Sequence, residues 1–164
     1  MKKWIKKNSI VLSLLLVLAV MVMIFCFSAQ SGEQSGAMSG RITRWVLSVV
    51  IPEFSEFTTE KQNDIQRTVG LLIRKLAHFS EYALLGFSLL LHIRQIEKKM
   101  LVRLPWLWAW GIGTLYAASD EFHQGFVAGR GPSVVDVMID SAGVVAGVLV
   151  MFLILRRKQA LPTK

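Results

Sequence analysis

The sequence predicts an all-α membrane protein, a four-transmembrane-helix bundle with an outer-surface amphipathic helix. Three observations carry that expectation. Of the 164 residues, 53% are hydrophobic and the mean hydropathy is +0.49, more apolar surface than a soluble core of this size can hide. The apolar residues are gathered into four runs of helical length, and the basic residues are distributed unevenly among the connecting segments. The length favours a single domain over 1–164.

The first span, 9–28, is long enough at about 1.5 Å per residue to cross a hydrocarbon core of roughly 30 Å. Lys2, Lys3, Lys6 and Lys7 precede it as they would a secretory signal, but the run is too long and no clear A-x-A site follows. Phe25 before Cys26 also spoils a lipoprotein box, so a retained anchor is expected. The second span, 74–92, belongs to a helix that reaches back to about Glu60, where Thr59-x-x-Gln62 reads as a capping box and Gly70 as a point of interruption. The third, 105–122, opens on Pro105 in the first turn, and Gly111 and Gly113 within it read as packing residues. The fourth, 134–155, follows Pro132 and an N-cap candidate in Ser133, and its Gly143-x-x-x-Gly147 spacing predicts a close helix contact.

Orientation follows from the loop charges. With the N-terminus in the cytoplasm, the inner side holds Lys2, Lys3, Lys6, Lys7, Arg94, Lys98, Lys99, Arg103, Arg156, Arg157, Lys158 and Lys164, whereas Glu97 is its only acid. That asymmetry predicts a multi-pass membrane protein with four spans and both termini in the cytoplasm. Trp4, Trp106, Trp108 and Trp110 then fall at or near the inner interface as aromatic anchors. The excess of Lys and Arg is thereby explained without nucleic acid. The lone Cys26 excludes an intramolecular disulfide and a Cys-based zinc cage, and reads as a buried structural thiol.

The outer segment, 29–73, is too long for a passive turn. Ser31 to Ser39 is rich in Gly and Ser and reads as flexible. Ile42, Trp45, Val46, Val49 and Val50 then recur at helical spacing opposite Arg41, Arg44 and Ser48, an amphipathic helix ending before Pro52. Such a helix lies on the outer leaflet or packs over the mouth of the bundle.

Ionisable groups inside spans cost several kcal/mol each, so they normally have a partner or a purpose. Here they converge at the outer ends. Arg74, Lys75, His78, Glu81 and Tyr82 sit on helix two, with 74, 78, 81 and 82 on one face; Asp120, Glu121, His123 and Gln124 end helix three; Arg130 precedes Ser133, Asp136 and Asp140 on helix four. Arg74 and Lys75 alone would snorkel, and Asp136 alone would complete a capping box with Ser133. Asp140 lies a turn deeper, beside the small-residue face, and should look into the bundle. The carboxylates outnumber the basic groups, so a bare phosphate is poorly served: either some carboxylates are protonated through mutual repulsion, or the ligand brings positive charge, or a divalent cation enters, alone or bridging a lipid phosphate, with donors from the His, Asp and Glu side chains. No nucleophile elbow, P-loop or dinucleotide loop is present.

Arg74-Lys75-Leu76-Ala77-His78-Phe79-Ser80-Glu81-Tyr82, Ser119-Asp120-Glu121-Phe122-His123-Gln124-Gly125-Phe126, Gly129-Arg130-Gly131 and Asp136-Val137-Met138-Ile139-Asp140-Ser141-Ala142-Gly143 resemble the motif set of VanZ-like membrane proteins, as does the Phe27-Ser28-Ala29-Gln30-Ser31 exit from the first span. The resemblance runs in order and spacing over about residues 10 to 155. It implies an integral protein of the bacterial cell envelope; the name-giving member is associated with low-level teicoplanin resistance, and no reaction is implied. The reading that follows is an outer-leaflet polar site engaging membrane lipids or lipid-linked envelope precursors. Were it catalytic, Asp120, Glu121 or Asp140 would be the base, with His78 or His123 shuttling protons and Arg130 steadying an anion. A non-catalytic structural or interaction protein and a small transporter are the alternatives.

Overall fold

The computed structural model describes residues 2–96 and 103–160. Glu97, Lys98, Lys99 and Lys164, and the side chains of Trp4, Lys158 and the four N-terminal lysines, lie outside the described residues and leave that part of the charge count untouched. Among the described residues there are five α-helices, α1 (Lys2–Ser28), α2 (Gly32–Val50), α3 (Thr59–Ile93), α4 (Pro105–Gln124) and α5 (Val134–Ala160), one 3-10 turn at Pro52–Glu56, and no strand. Three helices are long and apolar enough to cross a membrane: Asn8–Ser28 in α1, Thr59–Ile93 (all of α3) and Val134–Arg157 in α5. The described residues are those of an all-helical membrane protein. With 20 residues, α4 has the length of a span, but its Trp and Gly residues and the Asp120–Glu121 pair dilute its hydropathy.

Several boundaries differ from expectation for local reasons. The Gly- and Ser-rich stretch after Ser31 is helical, because Ser31 and Gln34 form a capping box: the Gln34 N–H donates to Ser31 Oγ at 3.2 Å and the Ser31 N–H to Gln34 Oε1 at 3.1 Å. The cap of α3 is Thr58, one residue earlier than expected, while Gln62 Nε2 instead donates to the Phe57 carbonyl at 2.8 Å. At Gly70 α3 runs unbroken, and that glycine faces Thr43 of α2. Half of the Ser133 box forms, with the Asp136 N–H donating to Ser133 Oγ at 3.2 Å.

Side-chain contacts fix the helix directions. Ser9 and Ser13 of α1 meet Gln95 and His92 beyond and within α3, so α1 and α3 are antiparallel. Met21 and Ser28 of α1 meet Tyr116 and Asp120 of α4, a parallel pair. Trp110 and Thr114 of α4 both reach Ser141 of α5, and Glu121 reaches Ser133, an antiparallel pair. The long helices therefore alternate in direction along the chain, and α3 touches each of the other four.

The closest contact joins the parallel helices α3 and α5. A Cβ at Gly143 would fall 2.4 Å from the Phe79 carbonyl oxygen, one at Gly147 1.7 Å from that of Ala83, and one at Gly86 2.2 Å from that of Val144. The small-residue motif thus works as predicted, with backbone against backbone. Gly113 also packs, against the Val144 side chain, whereas a Cβ at Gly111 would meet nothing beyond its own turn of helix within 4 Å, so Gly111 is not a packing residue. Ile24, Tyr82, Leu85, Leu90, Ala109, Ala117 and Val144 form the centre of the apolar core. Cys26 is exposed on α1, contrary to the expectation of a buried thiol, because the buried stripe of α1 is Val17, Val20 and Ile24.

Helix α2 has three faces rather than two. Thr43 and Leu47 are buried against the bundle, Arg41, Arg44 and Ser48 are exposed on a polar side, and the apolar stripe of Ile42, Trp45, Val49 and Val50 is also exposed. The hydrophobic stripe therefore lies beside the packing face, not on it.

Replacing Gly147 by Ala should force α3 and α5 apart and cost on the order of 1–3 kcal/mol, as overpacking does. The same change at Gly111 should leave stability within about 0.5 kcal/mol. Thermal unfolding of both purified variants in detergent checks the contrast.

Candidate functional site

The polar residues meet where the last turns of α1 and α4 approach the first turns of α5 and the middle of α3. The loop between α4 and α5 closes over this end. Gly129 adopts a left-handed φ of +72°, which suits glycine, and turns the chain so that the neighbouring Ala128 carbonyl accepts the Gly32 N–H of α2 at 2.9 Å. A Cβ at Gly32 would fall 2.2 Å from the Gly129 oxygen, so the start of α2 and this loop are in backbone contact.

Two cavities lie at this end. The larger, about 280 Å³, is bounded by Leu71, Arg74, Lys75 and His78 of α3, Glu121 and Gln124 of α4, Gly129, Arg130 and Gly131 of the loop, and Asp136, Ile139 and Asp140 of α5. The smaller, about 120 Å³, lies between the end of α1, α2 and α3, against Phe27, Gln30, Ser35, Met38, Ser39, Ile42, Ile73, Ala77 and Glu81. Arg74, His78 and Arg130 border both.

Some of these groups are committed to holding helix ends. Asp120 Oδ2 accepts from Ser28 Oγ at 2.6 Å and from Gln124 Nε2 at 3.1 Å, and Gln124 Oε1 accepts from Arg130 Nη1 at 3.1 Å. Glu121 Oε2 accepts the Ser133 N–H at 2.8 Å, a free donor at the start of α5, so the carboxylate stands where the helix dipole favours it. Lys75 pairs with Asp136, each side chain 39% exposed; Asp136 serves that pair and not the back-bond of a capping box. Burial and the neighbouring Arg74 guanidinium pull the Arg130 pKa below the ordinary arginine value.

Other groups are left without a partner. Asp140 is completely buried, yet neither of its carboxyl oxygens meets a hydrogen-bond donor. His78 Nδ1, Glu81 Oε2, Arg74 Nε and Arg130 Nε are likewise buried and unpartnered. Arg74 makes no side-chain hydrogen bond or ion pair among the described residues.

Of the residues expected in the site, Arg74, Lys75, His78, Glu121, Gln124, Arg130, Asp136 and Asp140 line the larger cavity and Glu81 the smaller. Asp120, Tyr82 and His123 line neither. Tyr82 sits in the apolar core beside Tyr116, and the His123 ring packs on Phe25 of α1 with centroids 4.8 Å apart. Among the described residues no three His, Cys, Asp or Glu side chains are grouped so that they could hold a metal ion. The donor set counted along the chain does not converge, because His123 turns toward α1 while Asp120 and Glu121 are taken by Ser28 and Ser133. Sequence reasoning gave Ser28 no role, since its partner lies 92 positions away, and it overlooked Ser31-x-x-Gln34, a capping box that was there to be read.

Ser28→Ala should remove one of the two donors to buried Asp120 Oδ2, leaving Gln124 Nε2, and cost about 1–3 kcal/mol. Lys75→Met removes a half-exposed pair and should cost at most about 1 kcal/mol. Thermal melts of the two variants, side by side, test this ranking.

No curated protein and no solved structure matches the chain. A family model described as VanZ/LLP1 matches residues 13–156, from the first apolar helix almost to the end of α5 and across every residue that lines the two cavities. The chain belongs to the VanZ/LLP1 family.

Proposed function

We propose that this protein crosses the bacterial cytoplasmic membrane four times with both termini inside, and that its larger cavity opens toward the outer leaflet and binds the anionic head of an envelope lipid or lipid-linked precursor. In that role it lowers susceptibility to teicoplanin-type lipoglycopeptides. The observation that carries the reading is the uncommitted Arg74 guanidinium on a wall shared with Arg130, since paired guanidiniums are the usual partners of phosphate oxygens.

The alternating helix directions support α4 as the fourth span, and its Leu115, 73% exposed, suits lipid contact. The exposed stripe of α2 supports a helix seated in the outer interface. A purely structural role accounts for the Ser28–Asp120–Gln124–Arg130 chain of bonds. It does not account for Arg74, His78 and Asp140, whose polar atoms join nothing.

The test is teicoplanin susceptibility of a sensitive Gram-positive host carrying empty vector, wild type, Asp140→Asn or Arg74→Gln at matched membrane abundance. Protection by the wild type that both substitutions abolish is the expected result. No protection by the wild type would remove the lipoglycopeptide role, and protection that survives both changes would remove the cavity from it. For topology, single cysteines at Glu33 and Lys98 in a Cys26→Ser background should label from outside intact cells at 33 and not at 98.

A further inference from the structure

The lipid-head reading above leaves the class of ligand open, and the two cavities narrow it. They are separate volumes with three residues in common, and their linings differ in kind. The larger is faced by charged groups from α3, α4, α5 and the loop. The smaller presents mostly apolar surface, from Phe27, Met38, Ile42, Ile73 and Ala77. Between them stand Arg74, His78 and Arg130.

We propose that the cavities are two chambers of one site for a small-headed phosphate amphiphile: its phosphate lies at the Arg74–His78–Arg130 wall, a hydroxyl or ammonium of its head meets Asp140 in the larger chamber, and the start of its hydrocarbon chain enters the smaller. This rests on the lipid-head reading and adds to it the kind of head and the place of the chain.

Three arguments support the assignment. First, Arg74 has its whole fork available, and both arginines have an unpartnered Nε, so the wall offers donors to an anion of several oxygens. Second, Asp140 is an acceptor with both oxygens open and no exposure to bulk solvent. As a carboxylate it repels the charge of a bare phosphate. A head that carries its own donor is matched to it, because leaving such a group unpaired costs more than the bond returns. Third, about 280 Å³ is at or below the lower end of the range for ligand pockets, roughly 300–1,000 Å³. It accommodates a phosphate with an ethanolamine- or glycerol-sized substituent and excludes an oligosaccharide-peptide head. Helix α2 supplies Met38 and Ile42 to the chain chamber, held in place by its Ser31 box and by the bond from Gly32 to Ala128.

The experiment measures binding of four short-chain or chainless probes to the purified full chain in detergent: dihexanoyl phosphatidylethanolamine, dihexanoyl phosphatidylglycerol, dihexanoyl phosphatidic acid and glycerophosphoethanolamine, with inorganic phosphate alongside. The first two should bind about tenfold more tightly than phosphatidic acid, the worth of one charge-assisted hydrogen bond. Phosphatidylethanolamine should also bind about tenfold more tightly than its chainless counterpart, the worth of a few buried methylenes. Asp140→Asn should erase the first difference and Ala77→Leu, which narrows the smaller chamber, the second. Equal binding of phosphatidic acid overturns the head assignment, equal binding of glycerophosphoethanolamine overturns the chain chamber, and inorganic phosphate binding as well as the lipids overturns both. These comparisons on wild type need no variant to fold. If lipids bind without these differences only the present inference falls, whereas if neither lipid nor phosphate binds the lipid-head reading falls with it.

Discussion

The contact between the backbones of α3 and α5 sets the geometry of everything around it. Where Gly143 and Gly147 lie on the carbonyls of Phe79 and Ala83, and Gly86 on that of Val144, there is no side chain between the two helices to yield. Their relative depth is therefore fixed to well under a helical turn. That depth puts Asp136 beside Lys75 and leaves Asp140 one turn further in, away from the water that would otherwise solvate it. Without hydrophobic attraction between spans, such contact is among the stronger terms available in a bilayer.

The charged residues then divide by what they do. Asp120, Gln124, Glu121 and their partners Ser28 and Ser133 are bonded between helix ends, and with Lys75–Asp136 they join α1, α3, α4 and α5 at one end of the bundle. Arg74, His78, Glu81 and Asp140 take no such part. Both groups carry the same kinds of side chain at the same level, so composition alone does not separate a bonded brace from a group left unpartnered.

That distinction also marks what could be read from the sequence. Helix periodicity, capping residues and the Gly143–Gly147 spacing are local, and they gave the long helices, the first turn of α4, the contact face of α5 and the inward direction of Asp140. The expectation of a buried Cys26 failed, and His123 packs on Phe25 away from both cavities, because these surroundings depend on how α1 turns, and no pattern within α1 reports its neighbours. The stripe of α2 was read correctly as a stripe. Its packing face is Thr43 and Leu47, only one of them apolar, a choice made by the passing of α3 at Gly70 and invisible in the periodicity of α2 itself.

The bond from Gly32 to Ala128 closes a loop of almost a hundred residues. The start of α2 leaves the ribosome long before the turn on which it rests, and two intervening helices must be threaded first. Contacts of such separation form late, because the chain between them must be ordered before they repay it. Arg130 follows that turn directly, so the chamber between α1, α2 and α3 acquires its Arg130 wall only after α3 and α4 are in place, and the polar end of the bundle closes late.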